Sequence, residues 1–245
     1  MECATLVHDG RLTKSPNHVR FVCISDTHTQ TESLSVPDGD VLIHSGDFCK
    51  SGESHEVTQF NRFLRDLPHL HKVVVAGNHD YPFDVKNYSK ILSFKRKVVS
   101  SDPFQVKAQL RNCIYLEDSG VKLCGYTIWG SPWTIQHYLG AFTIKNPDLL
   151  AEKWAGLPNE IDILITHSPP LGHCDLTGGR VHVGSESLKE RVVQINPVLH
   201  AFGHIHEGHG YERSGSTLFV NSAICNNKYK PVFKPIVVDL PRKAE

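Results

Sequence analysis

The chain is predicted to fold as an α/β protein with mixed sheets. Three observations predict it. Short runs rich in β-branched residues alternate with amphipathic segments. A strand, helix, strand order between residues 40 and 76 indicates a parallel crossover, and two apolar runs flanking Glu117-Asp118-Ser119-Gly120 indicate an antiparallel hairpin. The 245 residues fit one domain of ordinary size, and an apolar content of 40% suffices for a core. No repeat or low-complexity linker divides residues 1–245, so one domain is expected, with its core at about 18–241.

The elements follow in order. Residues 19–25, 40–44 and 72–76 are the first three strands. Before the third, Val57, Phe60, Phe63, Leu64 and Leu67 recur at helical spacing, with Ser54 as the expected N-cap. Residues 84–99 are mixed and basic and read as a short helix and a loop. Residues 113–116 and 121–129 are the two arms of the expected hairpin. Residues 148–157 form a short helix, 161–166 a strand, and 186–195 a helix that stops before Pro197. Strands are expected at 198–202, 217–220 and 236–240.

Charge is balanced, with 26 basic and 26 acidic residues. This offers no global field for a nucleic acid polymer, and the run Lys95-Arg96-Lys97 is too short to supply one. Seven cysteines, an odd number without a C-x-x-C pair, argue against a disulfide framework or a zinc knuckle. Cys23 and Cys124 lie in apolar runs and are expected to be buried thiols. Residues 1–15 contain no apolar signal region, and no stretch approaches the ~20 apolar residues of a membrane span. A cytoplasmic protein with no membrane partner is expected. Oligomeric state has no signature.

The chemistry lies in five polar clusters, each after an apolar run: Asp26-Thr27-His28, Gly46-Asp47, Gly77-Asn78-His79-Asp80, His167, and Gly203-His204-Ile205-His206. Taken singly, each reads as a turn, a cap or a polar strand end. Taken together, at the ends of successive strands where α/β sheets gather ligands, they read as a site for two divalent metals. Carboxylate, amide and imidazole ligands suit manganese foremost, with iron, zinc or magnesium also compatible. Asp47 is the expected bridge, because its strand lies between the other two in sequence. Water held between two ions loses a proton near neutral pH, and the resulting hydroxide can attack phosphorus in line. Two dications, two Asp and one hydroxide leave roughly one positive charge to attract a phosphate ester. His79, next to the Asn ligand, is placed to protonate the leaving oxygen.

Other residues carry weaker signals. His44 is a candidate buried donor behind the metal ligands. His173, Asp175 and Arg180 lie in a Pro/Gly-rich segment after His167, and Glu207 follows His206. His173, Arg180 and Glu207 are therefore candidate substrate contacts alongside Asn78 and His79. Trp129 and Trp133 flank Gly130-Ser131-Pro132 and either stack on a base or pack in the core. His8, His18, His55, His69, His71 and His137 read as surface residues.

The order D-x-H, G-D, G-N-H-D, H and G-H-x-H resembles the calcineurin-like metallophosphoesterase superfamily. The resemblance implies a two-sheet mixed β-sandwich flanked by helices in four αββα layers. It implies Asp26, His28 and His206 on one metal, Asp47 shared, Asn78, His167 and His204 completing the second site, and His79 as the general acid. Residues 20–28, 76–79, 130–134, 166–172 and 206–208 are similar to the animal metallophosphoesterase domain-containing group. Some vertebrate members of that group have Gly in place of His204, which is associated with low activity and nucleotide monophosphate binding. His204 therefore implies an active enzyme. The function expected is a phosphodiesterase acting on cyclic nucleotides or small diesters. The alternatives are a low-turnover nucleotide monophosphate-binding regulatory or scaffold protein, or a protein phosphatase.

Overall fold

The computed structural model describes residues 6–97, 101–136 and 138–243. Cys3, Val99 and His137 lie outside the described residues. The strands are β1 (Leu6–His8), β2 (His18–Ile24), β3 (Val41–Ser45), β4 (His71–Val75), β5 (Ile114–Tyr115), β6 (Ser119–Leu123), β7 (Tyr126–Ser131), β8 (Thr134–Ile135), β9 (Thr143–Ile144), β10 (Ile163–Thr166), β11 (Leu199–Phe202), β12 (Gly210–Ser214), β13 (Thr217–Asn221) and β14 (Ile236–Pro241). The helices are α1 (Ser54–Asp66), α2 (Tyr88–Phe94), α3 (Pro103–Lys107), α4 (Pro147–Ala155) and α5 (Glu186–Ile195).

Two mixed six-stranded sheets form, in the orders β1-β14-β2-β3-β4-β5 and β12-β13-β11-β10-β7-β6. The alternation of side chains along each strand builds the layers. Val19, Phe21 and Cys23 of β2 point toward the second sheet and pack in a core with Ile163, Ile165, Leu199 and Ala201. Val22 and Ile24 point the other way, against Val57, Phe60 and Leu64 of α1. On the far side, Leu164 and Phe202 meet Trp154 of α4 and Leu188 and Val192 of α5. This is the helix–sheet–sheet–helix sandwich that the family resemblance implied.

The β3–α1–β4 crossover is present, with β3 and β4 parallel. The hairpin differs from its expected position. β5 pairs in parallel with β4 in the first sheet, whereas β6 pairs antiparallel with β7 in the second. Cys124 and Gly125 make the turn with φ of 51° and 79°, the double positive φ that matches strand twist in a two-residue hairpin. Glu117 and Asp118 instead carry the chain from one sheet to the other. Local sequence shows only that two apolar runs are near each other, and β5 finds its partner in a strand some forty residues earlier.

Three smaller expectations are also corrected. Cys23 is buried, but Cys124 is half-buried because it sits in that turn. Ser54 does not cap α1: Glu56 accepts from the backbone of Ser51 and Glu53, while Ser54 Oγ accepts from Gln109. His18 and His69 are buried, being covered by neighbours from distant segments.

His200 on β11 gives a pH-dependent element outside the candidate site. Thr166 Oγ1 donates to the Ser168 carbonyl and accepts from His200 Nε2 at 2.9 Å. Burial pushes His200 down to about 3. The unfolded chain therefore takes up a proton that the folded one refuses. The contribution to stability is complete above the unfolded value near 6.5 and is lost as pH falls toward 3, at up to ~1.4 kcal/mol per pH unit. In urea unfolding of the metal-free protein between pH 6 and 4, H200Q should flatten the pH slope of stability by about one proton. An unchanged slope would contradict this.

Candidate metal centre

Strands β2, β3 and β4 run parallel in one sheet, and β10 and β11 run parallel in the other. The loops after their carboxyl ends carry all five clusters to one place. A cavity of about 260 Å³ there is lined by His28, Asp47, Asn78, His79, His204, His206 and Glu207, together with Tyr138 and Tyr229. Four of the clustered residues adopt left-handed backbone: Asp26, His28, Asp47 and His204, with φ between 43° and 68°. Such strain persists where surrounding structure enforces it, characteristically at functional sites. Two glycines make the crowding possible. A Cβ on Gly77 would lie 2.2 Å from Asp47 Oδ1, and one on Gly203 would lie 2.0 Å from Asp26 Oδ2.

The candidate ligand atoms overlap in three groups, each with its atoms within 4.8 Å of one another: Asp26/His28/His206, Asp26/Asp47/His167 and His28/Asp47/His79. Asp47 Oδ2 lies 3.8 Å from His28 Nε2 and 3.5 Å from His167 Nε2, between the two expected ligand sets. Its strand, β3, is also between β2 and β4 in space. His167 Nε2 is 3.0 Å from Asn78 Oδ1. His204 donates its backbone N–H to Asp26 Oδ2, and its ring centroid is 4.9 Å from that of His167.

Hydrogen bonding sets the direction of the imidazoles. Nδ1 of His28, His167 and His206 faces the carbonyls of Cys49, Ser45 and Asn226 at 3.2, 2.9 and 2.9 Å. A carbonyl only accepts, so Nδ1 bears the proton and a neutral ring presents its Nε2 lone pair. The Nε2 atoms of His28 and His206 face each other at 3.3 Å. Asp26 Oδ1, fully buried and without a hydrogen-bond partner, lies 3.3 Å from His206 Nε2. Nε2 atoms that converge on one point and a buried carboxylate oxygen without a hydrogen bond are the donor set that a hard or borderline cation requires, so the residues fit a divalent metal centre.

Electrostatics agree. Burial opposes ionisation of Asp47, but nearby His167 and His79 outweigh it and hold the carboxyl well below its usual range. Burial would lower His167 and His206, yet Asp47 and Asp26, respectively, bring each up to about 9. His28, more weakly paired, is pushed down by burial to about 4. The carboxylates draw positive charge into a dry site, the place a cation would take.

Two buried residues support the loops from behind. Asp80 accepts from the backbone N–H of Asp47, Gly77 and Cys49, joining the β3 and β4 loops. His44 accepts from the Gly46 N–H at Nδ1, so its Nε2 bears the proton and donates to Thr27 Oγ1 at 3.0 Å. His79 lies above them. Its Nδ1 bonds the Lys50 carbonyl at 2.8 Å, leaving Nε2 as the atom available for proton exchange, and its backbone N–H donates to Asp47 Oδ1.

Other candidates lie apart from the cavity. His173 stacks on Phe219 at 3.9 Å and pairs with Glu212. Arg180 is exposed on its loop and is not among the lining residues. Asp175 is buried, accepting from Gly172, Gly184 and His182 within that loop. Trp133 bonds Asp118 and lies beneath Lys153, and both tryptophans pack against the α4–α5 core. Tyr138, Asn227 and Tyr229 reach the cavity without any motif to mark them; their placement depends on loops from distant parts of the chain.

A model of the calcineurin-like phosphoesterase family matches residues 19–208. The chain belongs to that family. It is 43% identical over 237 residues to metallophosphoesterase domain-containing protein 1 of Homo sapiens, covering 93% of this chain and 73% of that protein. A UPF0046 protein of Caenorhabditis elegans is 40% identical over 230 residues, covering 93% of this chain and 77% of its own length. Among solved structures, TT1561 of Thermus thermophilus is similar in fold, with a TM-score of 0.55 at 15% identity over 83% of this chain and 88% of that one. As a calcineurin-like phosphoesterase, the protein is a metal-dependent phosphoester hydrolase, and its clustered Asp and His residues suggest a divalent metal centre.

Proposed function

We propose that this calcineurin-like phosphoesterase is a dinuclear phosphodiesterase, with manganese as its foremost metal and cyclic nucleotides or small diesters as substrates. The observation that carries the reading is the position of Asp47 Oδ2 between His28 and His167. Asp26, His28 and His206 would hold one ion, and Asn78, His167 and His204 the other, with Asp47 shared. When bound, two such ions supply an activated water and neutralise charge on the phosphate. Two dications set against the carboxylates of Asp26 and Asp47 and one hydroxide would leave the loaded centre with roughly one positive charge. A singly charged diester matches it better than a doubly charged monoester. Asn78 orients the ester, and His79 Nε2 delivers the proton to the leaving oxygen. Among the described residues no helix is long and apolar enough to cross a membrane, and Cys23, Cys49, Cys113, Cys174 and Cys225 are free thiols. The free thiols support a cytoplasmic setting.

After manganese loading, turnover of bis-p-nitrophenyl phosphate should exceed that of p-nitrophenyl phosphate. The opposite order would overturn the diester assignment, and tight AMP binding with neither ester turned over would favour the low-turnover nucleotide-binding role. H204G should weaken retention of the second ion by at least ~10–100-fold and lower activity in parallel. Glycine suits the left-handed φ of 68° at this position, so folding should survive. Unchanged metal stoichiometry would remove His204 from the ligand set.

A further inference from the structure

Residues 225–231 make a turn beside the cavity, with Cys225 and Pro231 paired across it. Asn226 organises the turn. Its Oδ1 accepts from the backbone of Lys228 and Lys230, and its N–H donates to the Lys230 carbonyl. Its own carbonyl accepts from the Tyr229 N–H at 2.8 Å and from His206 Nδ1 at 2.9 Å. One carbonyl thus links Tyr229 to a candidate metal ligand.

Tyr229 has a φ of 57°. For a bulky aromatic residue this is an outlier, and glycine or asparagine would serve the turn at lower cost. Its ring packs edge-on against His28 at 4.7 Å and 85°, and meets His79 and His206 at 5.9 Å each. The residue is nevertheless 46% exposed and lines the cavity with Asp47, Asn78 and His204. A core role would bury the ring, and a turn role would not need one. What remains is a role toward whatever enters the cavity.

We infer that Tyr229 is a substrate-positioning residue. The open part of its ring is the wall against which a flat aryl or nucleobase group of the ester rests, beside His79. This inference rests on the phosphoesterase reading of the cavity. The candidate metal ligands His28, Asp47, Asn78, His204 and His206 line the inner side of the cavity, the side that the ions and the phosphate would occupy. The organic part of the ester must then lie at the rim, where Tyr229 stands.

The test uses the full-length, manganese-loaded protein with Y229G and Y229F. Y229G relieves the strained φ, so its melting temperature should not fall, and its metal content should equal that of the parent. Its KM for bis-p-nitrophenyl phosphate and its Kd for AMP should rise about tenfold, the loss of one stacking contact. Its inhibition constant for inorganic phosphate, which has no flat group, should stay within about twofold. Y229F, which keeps the ring, should restore affinity to within about threefold of the parent. Unchanged KM and Kd in Y229G would overturn the inference, as would an equal weakening of phosphate or a loss of metal. Equal losses in Y229F and Y229G would also overturn it, by placing the effect on the hydroxyl. If the parent turns over neither ester, the phosphodiesterase reading falls, and AMP affinity still decides for or against Tyr229. A parent with neither turnover nor AMP binding overturns both.

Discussion

D47N is expected to abolish most bound metal and lower diester turnover by ~10³-fold or more, because losing several kcal/mol of charge stabilisation has that effect on rate. Asp47 Oδ2 faces both His28 and His167, at 3.8 and 3.5 Å. The amide keeps the shape and one oxygen, but it replaces a charge with a dipole and adds a donor among imidazole lone pairs. Asp47 Oδ1 also accepts the His79 N–H, so the loop bearing the proposed acid loses an anchor as well. Metal analysis by mass spectrometry on the purified variant, beside its turnover of bis-p-nitrophenyl phosphate, measures both effects. Two retained metals per chain would rule out the bridging role.

H79A should cut turnover by ~10²–10⁴-fold, the usual contribution of a positioned proton donor, while metal content stays at the parent level. His79 is half-buried and held by the Lys50 carbonyl, and it lies with His28 and Asp47 in one group of potential ligands. The same geometry therefore permits two roles, and the variant separates them. Loss of metal alongside activity would make His79 a ligand rather than the acid. A smaller defect on an ester with a good leaving group, such as p-nitrophenolate, than on an alkyl ester would mark it as the acid, since a good leaving group needs little protonation.

Much of the fold was legible because its physics is local. The βαβ unit follows from the β-branched runs and the helical spacing of Val57, Phe60 and Leu64. The end of α5 at Ile195 follows from Pro197 beyond it. The hairpin was misplaced because a parallel partner leaves no mark on adjacent sequence. β5 and β6 look like neighbours along the chain and belong to different sheets. His18 and His69 read as surface residues, and burial by distant segments is equally invisible.

The ligand candidates were legible for a different reason. A strand end followed by a polar cluster is a local pattern, and its repetition five times in one chain is informative. Sequence by itself determined which side chains could bind metal, their order, and the family to which they belong. Tertiary structure alone decided which of them converge. It put Asp47 between His28 and His167, turned the Nε2 atoms inward through backbone carbonyls, left Asp26 Oδ1 buried without a hydrogen bond, and brought Tyr229 to the rim. The physical reason is that residue type sets what an atom can donate or accept, while direction and distance depend on hydrogen bonds between loops far apart in the chain.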